Sequence, residues 1–300
     1  MSKIFSPGKL MLTSEYFAID GALVLAVPTQ LGQTLFFEEI HDGKANISWK
    51  AFHQDQLWLN TCLNYKSWEI LETNLPEAAS FIVKVLRNVQ KLSSEKLHSD
   101  CSYRLSTNLE FPADFGLGSS STLMNNLAEW AQINPYILNQ ESLGGSGYDI
   151  AVAHEKSAVL YKNKPEISVE RIAFNPSFKE DLIFIHLNQK QDTREGIRLY
   201  KSKQKSAALI DEFTNLTKEI VKADDLEHFS ALMMIHEKKI ADFLNVETSK
   251  EKYFKECPVF IKSLGAWGGD FVMASKFDGY RQWFSDLGFL NVFNWSDLID

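Results

Sequence analysis

The stretch Phe111-Pro-Ala-Asp-Phe-Gly-Leu-Gly-Ser-Ser-Ser-Thr122 joins two patterns of different period. Before it, Tyr103, Leu105, Thr107 and Leu109 alternate with mostly polar residues, the period of a half-buried strand. After it, Leu123, Leu127 and Ala131 recur at helical spacing, with Met124 and Ala128 beside them. The stretch therefore reads as strand, glycine-bearing turn, helix. Gly116 and Gly118 allow a sharp turn and a close backbone approach, because neither carries a Cβ. Ser119, Ser120 and Ser121 fall at the helix N-terminus, where main-chain N–H groups have no intrahelical acceptor and the dipole favours an anion. The same residues suit a phosphate cradle or a serine-capped helix after an ordinary loop.

Working outward, residues 4–39 read as β structure. Tyr16–Ile19 and Ala22–Val27 flank Asp20-Gly21, a strong hairpin signal, and Pro28 closes the second run before a further strand over 32–39. Ile47, Trp49 and Ala51 alternate, as do Leu57 and Leu59. Pro76 opens a helix with the stripe Phe81, Ile82, Val85, Leu86 and Val89. Asn134-Pro135 ends the helix that follows the glycine-rich turn. Gly144-Gly-Ser-Gly-Tyr-Asp149 leads through a small-residue run to a strand over 158–161. Strands follow over 167–174 and 182–187. The polar, proline-bearing segment 175–181 between them marks a boundary, giving domains 1–175 and 176–300. Asp192-Thr-Arg-Glu195 has the chemistry of a capping box, and helices run from it to about residue 245. One carries Leu226, Phe229, Met233, His236, Ile240 and Phe243 in a single stripe. Strands over 259–264, 270–274 and 291–293, with a helix over 280–287, complete an α+β chain in two parts.

The composition narrows the function. A net charge of -8 over 300 residues leaves no broad cationic surface for nucleic acid. No apolar run approaches the ~20 residues that span a bilayer. The first residues lack the apolar core of a secretory leader. Cys62, Cys101 and Cys257 are scattered without a CxxC pair, so sequence spacing indicates neither a disulfide framework nor a zinc knuckle. The expectation is a reduced cytoplasmic protein acting on a small molecule, as monomer or homodimer, without nucleic-acid or membrane partners. Familiar site motifs are missing. There is no GxxxxGK[ST] loop and no GxGxxG dinucleotide turn, Tyr148 spoils a nucleophile elbow at Gly145-Ser-Gly147, and His154-Glu155 lacks the second histidine of a zinc protease.

Three glycine-bearing segments stand out: Ser6-Pro-Gly-Lys9, the turn at 116–121, and Lys262–Met273. With Gly145-Ser-Gly-Tyr-Asp149 they form an ordered set along nearly the whole chain. This set resembles the galactokinase–homoserine kinase–mevalonate kinase–phosphomevalonate kinase (GHMP) superfamily, and its mevalonate and phosphomevalonate kinase branch in particular. Ser14 stands where the family pattern has glycine before the glutamate of its first motif.

The resemblance implies a ribosomal-protein-S5-like N-terminal domain, a ferredoxin-like C-terminal domain, and ATP and Mg²⁺ as cofactors. It implies that Gly116, Leu117, Gly118, Ser119, Ser120 and Ser121 hold the ATP phosphates, and that Ser120 coordinates Mg²⁺. Asp149 would accept the proton of a substrate hydroxyl, with Lys9 near the transferred phosphoryl group. Glu141 is the candidate second metal ligand, Glu129 being the other glutamate in the interval. Glu15, Arg194, Gly268 and Gly269 are candidate substrate contacts. The implied activity is phosphorylation of a mevalonate-like alcohol or phosphate monoester. The alternatives are a catalytically weak nucleotide- or metabolite-binding scaffold and a diphosphomevalonate decarboxylase on the same fold.

Overall fold

The computed structural model describes residues 2–188, 193–265 and 269–299, excepting the side chains of 193–195. Two compact units emerge: Met1–Gly8 with Leu31–Ala113 and Gly118–Lys156, and Lys9–Gln30 with Asp114–Leu117 and Ser157–Asp300. They interleave along the chain, unlike the expected single cut after residue 175. Strands β1 (Ser2–Met11) and β2 (Val24–Ile40) each start in one unit and finish in the other. A polar linker marks where a chain is loosely held, but it does not report which segments pack together.

The first unit holds β3 (Asn46–His53), β4 (Gln56–Asn64), β5 (Glu69–Thr73), α1 (Pro76–Leu92), β6 (Ser102–Leu109), α2 (Ser119–Ala131), α3 (Pro135–Ser142) and α4 (Tyr148–Glu155). Its strands lie in the order β5-β4-β3-β6-β2, antiparallel except for the parallel β3–β6 pair. The alternation around Tyr103 does what its period requires. Tyr103 and Leu105 turn into a core shared with Trp49 of β3 and with Val85, Leu86 and Val89 of α1, and Leu109 is buried as well. Helix α2 is buried almost all round and carries its polar groups inward. Asn126 accepts from the Ser6 hydroxyl at 2.8 Å and donates to the Gln33 carbonyl at 2.9 Å, while Asn125 donates to Ser6 Oγ at 2.8 Å. These buried hydrogen bonds fix how α2 sits on the strands.

The second unit adds β7 (Val159–Lys162), β8 (Ser168–Arg171), β9 (Leu182–His186), α5 (Thr193–Ser202), α6 (Ala207–Lys222), α7 (Leu226–Leu244), α8 (Ser249–Tyr253), β10 (Ile261–Leu264), β11 (Phe271–Ser275), α9 (Tyr280–Asp286), β12 (Val292–Asn294) and α10 (Trp295–Leu298). Strands β9 to β12 form an antiparallel sheet in the order β10-β11-β9-β12. With helices after β9 and between β11 and β12, this is the β-α-β-β-α-β connectivity of a ferredoxin-like fold. Among the described residues no helix is long and apolar enough to cross a membrane.

The hairpin expected at Asp20-Gly21 is replaced by a 3₁₀ turn, Phe17–Asp20, ended by Gly21 at φ 95°. The cause is tertiary. Phe17 is fully buried, stacks on Phe213 of α6 at 3.9 Å and meets Tyr200 of α5 edge-on at 5.2 Å. A strand would alternate Tyr16 and Phe17 to opposite faces, whereas both join this one cluster. Pro28 does not end a strand either. It lies in β2 between Val24–Ala26, which pair with β7, and Gln33–Ile40, which pair with β6, so its missing N–H costs neither ladder a bond. Asn134-Pro135 begins a helix rather than stopping one. Gln132, at φ 55°, caps α2, and the Asn134 side chain accepts from the N–H groups of Tyr136 and Ile137. Asp192 of the expected capping box lies outside the described residues. Replacing Phe17 with alanine empties the centre of the aromatic cluster, and urea unfolding should record a loss of roughly 3–5 kcal/mol.

Candidate active site

The site residues fall into both units, and each set has its own geometry. In the second unit, Lys9 is fastened to the glycine-rich loop twice. Its N–H donates to the Leu117 carbonyl at 2.9 Å, and its ammonium Nζ donates to the Gly116 carbonyl at 2.8 Å. The side chain is buried, 8% exposed, so its charge is held at the loop rather than left in solvent. Gly116 has φ 71°, and a Cβ built there would lie 2.1 Å from Cγ of Asp270 and 2.2 Å from its Oδ2. Two independent constraints thus demand glycine: a left-handed backbone and a carboxylate pressed against the Cα. Lys9, Gly116 and Asp270 come from three of the glycine-bearing segments picked out in the sequence.

In the first unit, Gly118 at φ 85° leads into α2, whose N-terminus has no side-chain cap among the described residues. Ser120 is exposed. Ser121 is buried, and its hydroxyl donates to the Gly118 carbonyl at 2.8 Å. Thr122 similarly donates to the Ser119 carbonyl at 2.9 Å. The Ser121 hydroxyl, expected on a phosphate, therefore braces the turn, while its main-chain N–H stays in the set that helices leave without internal acceptors. An uncapped helix N-terminus with an exposed hydroxyl in its first turn fits a phosphate oxyanion and a metal bound to it.

Asp149 occupies the first turn of α4 after Gly147 at φ 89° and is half-buried, with Oδ1 3.1 Å from the N–H of Ile150. Helices α2 and α4 are tied by the Asn125 amide, which donates to the Ala153 carbonyl at 3.2 Å. One residue near Asp149 carried no sequence signal. The Tyr136 hydroxyl is buried with no hydrogen-bond partner among the described residues, and burial, with Glu155 and Asp149 adding, pushes its pKa up to about 12. An unpaired phenol of this kind is a ready donor, and only its position in the fold singles it out. Glu141 lies on the exposed side of α3 with its carboxylate 2.9 Å from Lys91 Nζ, and Glu129 is 3.5 Å from Lys156 Nζ. Neither is brought to Ser120 by any contact described, so the expected second metal ligand gains no support. Arg194 falls within α5, but its side chain lies outside the described residues, as does the whole of Gly268; Gly269 is buried just ahead of β11.

Glu15, a candidate substrate contact by sequence, sits at the centre of a buried charge cluster. It is 1% exposed and hydrogen-bonded to Lys262 of β10, itself fully buried. Lys262 Nζ also lies 3.6 Å from Oε2 of Glu237, on α7. That carboxylate accepts from the Ser263 N–H at 3.0 Å and the Ser263 hydroxyl at 2.8 Å. His236 is buried beside them. Its Nε2 accepts from the Ser14 N–H at 2.8 Å, which places the proton of the neutral ring on Nδ1, 3.7 Å from Glu15 Oε2. Burial, with Lys262 adding, holds His236 well below its usual range. Burial pushes the Glu15 carboxyl up to about 7, Lys262 opposing and Glu237 adding to the rise. The cluster also explains Ser14. It sits at φ 64°, a conformation that suits glycine, and is held there by its bond to His236 and by its hydroxyl, which donates to the Leu23 carbonyl at 2.7 Å. Lys262 lay within the third glycine-bearing segment, but sequence alone gave no reason to pair it with Glu15.

No family model matches the sequence, and no curated protein matches it. Solved structures do match. A Methanococcus jannaschii mevalonate kinase aligns with a TM-score of 0.69 at 17% identity, over 98% of this chain and 97% of that one. A Streptococcus pneumoniae phosphomevalonate kinase, in complex with phosphomevalonate and AMPPNP, aligns with a TM-score of 0.69 at 16% identity, over 98% and 100%. A Lactococcus lactis galactokinase complexed with galactose aligns with a TM-score of 0.65 at 15% identity, over 95% and 88%. The chain has the fold of the GHMP kinases.

Three outcomes follow from this geometry. Gly116→Ala must displace Asp270 and adopt a left-handed backbone, so chemical denaturation should show a loss of about 1–3 kcal/mol. Lys262→Met strands Glu15 and should cost roughly 3–5 kcal/mol, of which the double variant with Glu15→Gln recovers part. The pH dependence has a fixed sign. Glu15 has a raised folded pKa, so its favourable contribution is complete below about 4.5 and is lost as pH rises to about 7. Glu15→Gln should flatten that decline in a series of urea melts.

Proposed function

We propose that this chain is an ATP- and Mg²⁺-dependent small-molecule kinase that phosphorylates a hydroxyl or phosphate group of a mevalonate-like substrate. The observation that carries the reading is the double attachment of Lys9 to Gly116 and Leu117, directly ahead of the uncapped N-terminus of α2. A cation and a row of main-chain N–H groups on one short loop are what phosphoryl transfer asks of a protein, since that reaction is governed by positioning and charge stabilisation. Mg²⁺-ATP, when bound, supplies the phosphoryl group. Main-chain N–H groups over 116–121 and the Ser119 and Ser120 hydroxyls would bind its phosphates, with Ser120 also a metal ligand. Lys9 would offset negative charge on the transferred group. Asp149 would orient a substrate hydroxyl and receive its proton as the bond to phosphorus forms. A carboxylate is a weak base toward an alcohol, so most of its help comes from orientation and from acting late.

The mevalonate-like substrate is inferred from the Gly145–Asp149 segment together with the neighbours named for mevalonate and phosphomevalonate. The setting we propose is cytoplasmic, as monomer or homodimer, with no nucleic-acid or membrane partner. The test is ADP release with mevalonate, phosphomevalonate, diphosphomevalonate, homoserine and galactose as acceptors. One acceptor should give a phosphorylated product, with kcat reduced by roughly 10²–10⁴-fold in Asp149→Asn and strict dependence on Mg²⁺. Carbon dioxide release from diphosphomevalonate would instead identify the decarboxylase. Tight ATP binding indifferent to Mg²⁺, with no turnover on any acceptor, would identify a scaffold.

A further inference from the structure

Away from these residues, one end of the first unit's sheet gathers three different metal-binding side chains. Strands β2 and β6 pair antiparallel up to Ile40 opposite Ser102. The next residue outward on each chain is His41 and Cys101. Their side chains meet, with His41 Nδ1 2.8 Å from Cys101 Sγ. Glu39 is two residues before His41, and side chains two apart on a strand share a face. One ligand atom from each of Glu39, His41 and Cys101 lies within 4.8 Å of the others. Water reaches the group, since Glu39 and His41 are exposed and Cys101 is half-buried.

The surroundings hold this arrangement in place. The Ser102 hydroxyl, next to Cys101, donates at 2.7 Å to Oδ1 of Asp42, next to His41. The buried Tyr65 donates its phenol to the Cys101 carbonyl. Glu39 Oε2 is 3.3 Å from Lys96 Nζ, which fixes the carboxylate beside the pair. Supports of this kind orient ligands at metal sites. The chemistry of the set is selective. A thiolate, an imidazole and a carboxylate together suit a borderline-soft divalent ion, whereas Mg²⁺ and Ca²⁺ take oxygen ligands alone.

We propose that Glu39, His41 and Cys101 form a Zn²⁺ site with water as its fourth ligand, clamping the end of β2 to the start of β6. Binding converts the Cys101 thiol to a thiolate and releases its proton to solvent. The site is separate from the proposed ATP-binding residues and does not depend on the kinase reading.

The test uses the full chain, reduced, with Co²⁺ as a spectroscopic probe for Zn²⁺. One equivalent of Co²⁺ should produce a thiolate-to-metal charge-transfer band that Zn²⁺ abolishes by displacement. Cys101→Ser should lack the band, and His41→Ala should bind roughly 10- to 100-fold more weakly. Zn²⁺ should raise the Tm of the wild type but not that of Cys101→Ser, because a ligand stabilises only the state that binds it. The second His-containing group, Asp224, Asp225 and His228, has no thiol and cannot give the band. The proposal is overturned if no band forms, if the band survives in Cys101→Ser, or if Zn²⁺ shifts both proteins equally. Any of these would leave His41 and Cys101 as a hydrogen-bonded pair without a metal.

Discussion

The loop at Gly116 is a place where three distant segments must come within touching distance. Lys9 reaches its carbonyl, Asp270 presses on its Cα, and the backbone takes a left-handed turn there. The last two demands each exclude a side chain, for a different reason. The outcome is a loop whose carbonyls face Lys9 and whose continuation, Gly118, opens the N-terminus of α2. Anion binding at such a loop needs no side chain of its own, because the N–H groups of a helix start are already directed outward. The serines then divide into two kinds. Ser121 secures the turn from inside, and Ser120 remains exposed at its surface.

A second long-range tie is the Lys262–Glu15 pair. One ammonium faces two carboxylates in a dry interior, with a histidine that stays neutral. Taking three charges out of water is costly, and well-packed apolar groups often stabilise as much. The cluster survives because Glu237 is almost fully saturated by Ser263 and Ser249, leaving Lys262 to Glu15. The remaining orphans, Glu15 Oε2 and His236 Nδ1, face each other at 3.7 Å. A small approach would satisfy both, so the imbalance is local. What the cluster secures is the conformation of residues 14–16, where Ser14 and Tyr16 both hold φ near 64°.

Much of this was legible in the sequence, because periodicity survives when identity does not. The alternation of β6, the stripe of α1 and the glycine signals at 116–118 all predicted their elements. The glycine-bearing segments also predicted a GHMP-type fold that solved structures match at only 15–17% identity. The failures share a cause. Tyr16-Phe17 looked like a strand because aromatic residues favour sheets, yet both rings were claimed by helices more than 180 residues on. The pairing of Glu15 with Lys262 could not be read either, since the two are 247 positions apart. Local pattern reports which face is apolar; it does not report which distant side chain will be there.

The cysteines make the same point from the opposite side. Read by spacing, Cys101 has no companion within motif distance, and nothing in the sequence indicates a zinc knuckle. The antiparallel register of β2 and β6 supplies the companions instead, bringing His41 from 60 positions away and Glu39 onto the same face. A sheet register acts on long separations as a motif acts on short ones: once Ile40 is opposite Ser102, the next two side chains must meet. The glycine-rich loop is assembled by a related logic, with Lys9 and Asp270 brought to Gly116 from either side of the chain's midpoint. In both places the chemistry is set by which backbones are neighbours, and the side chains follow from that.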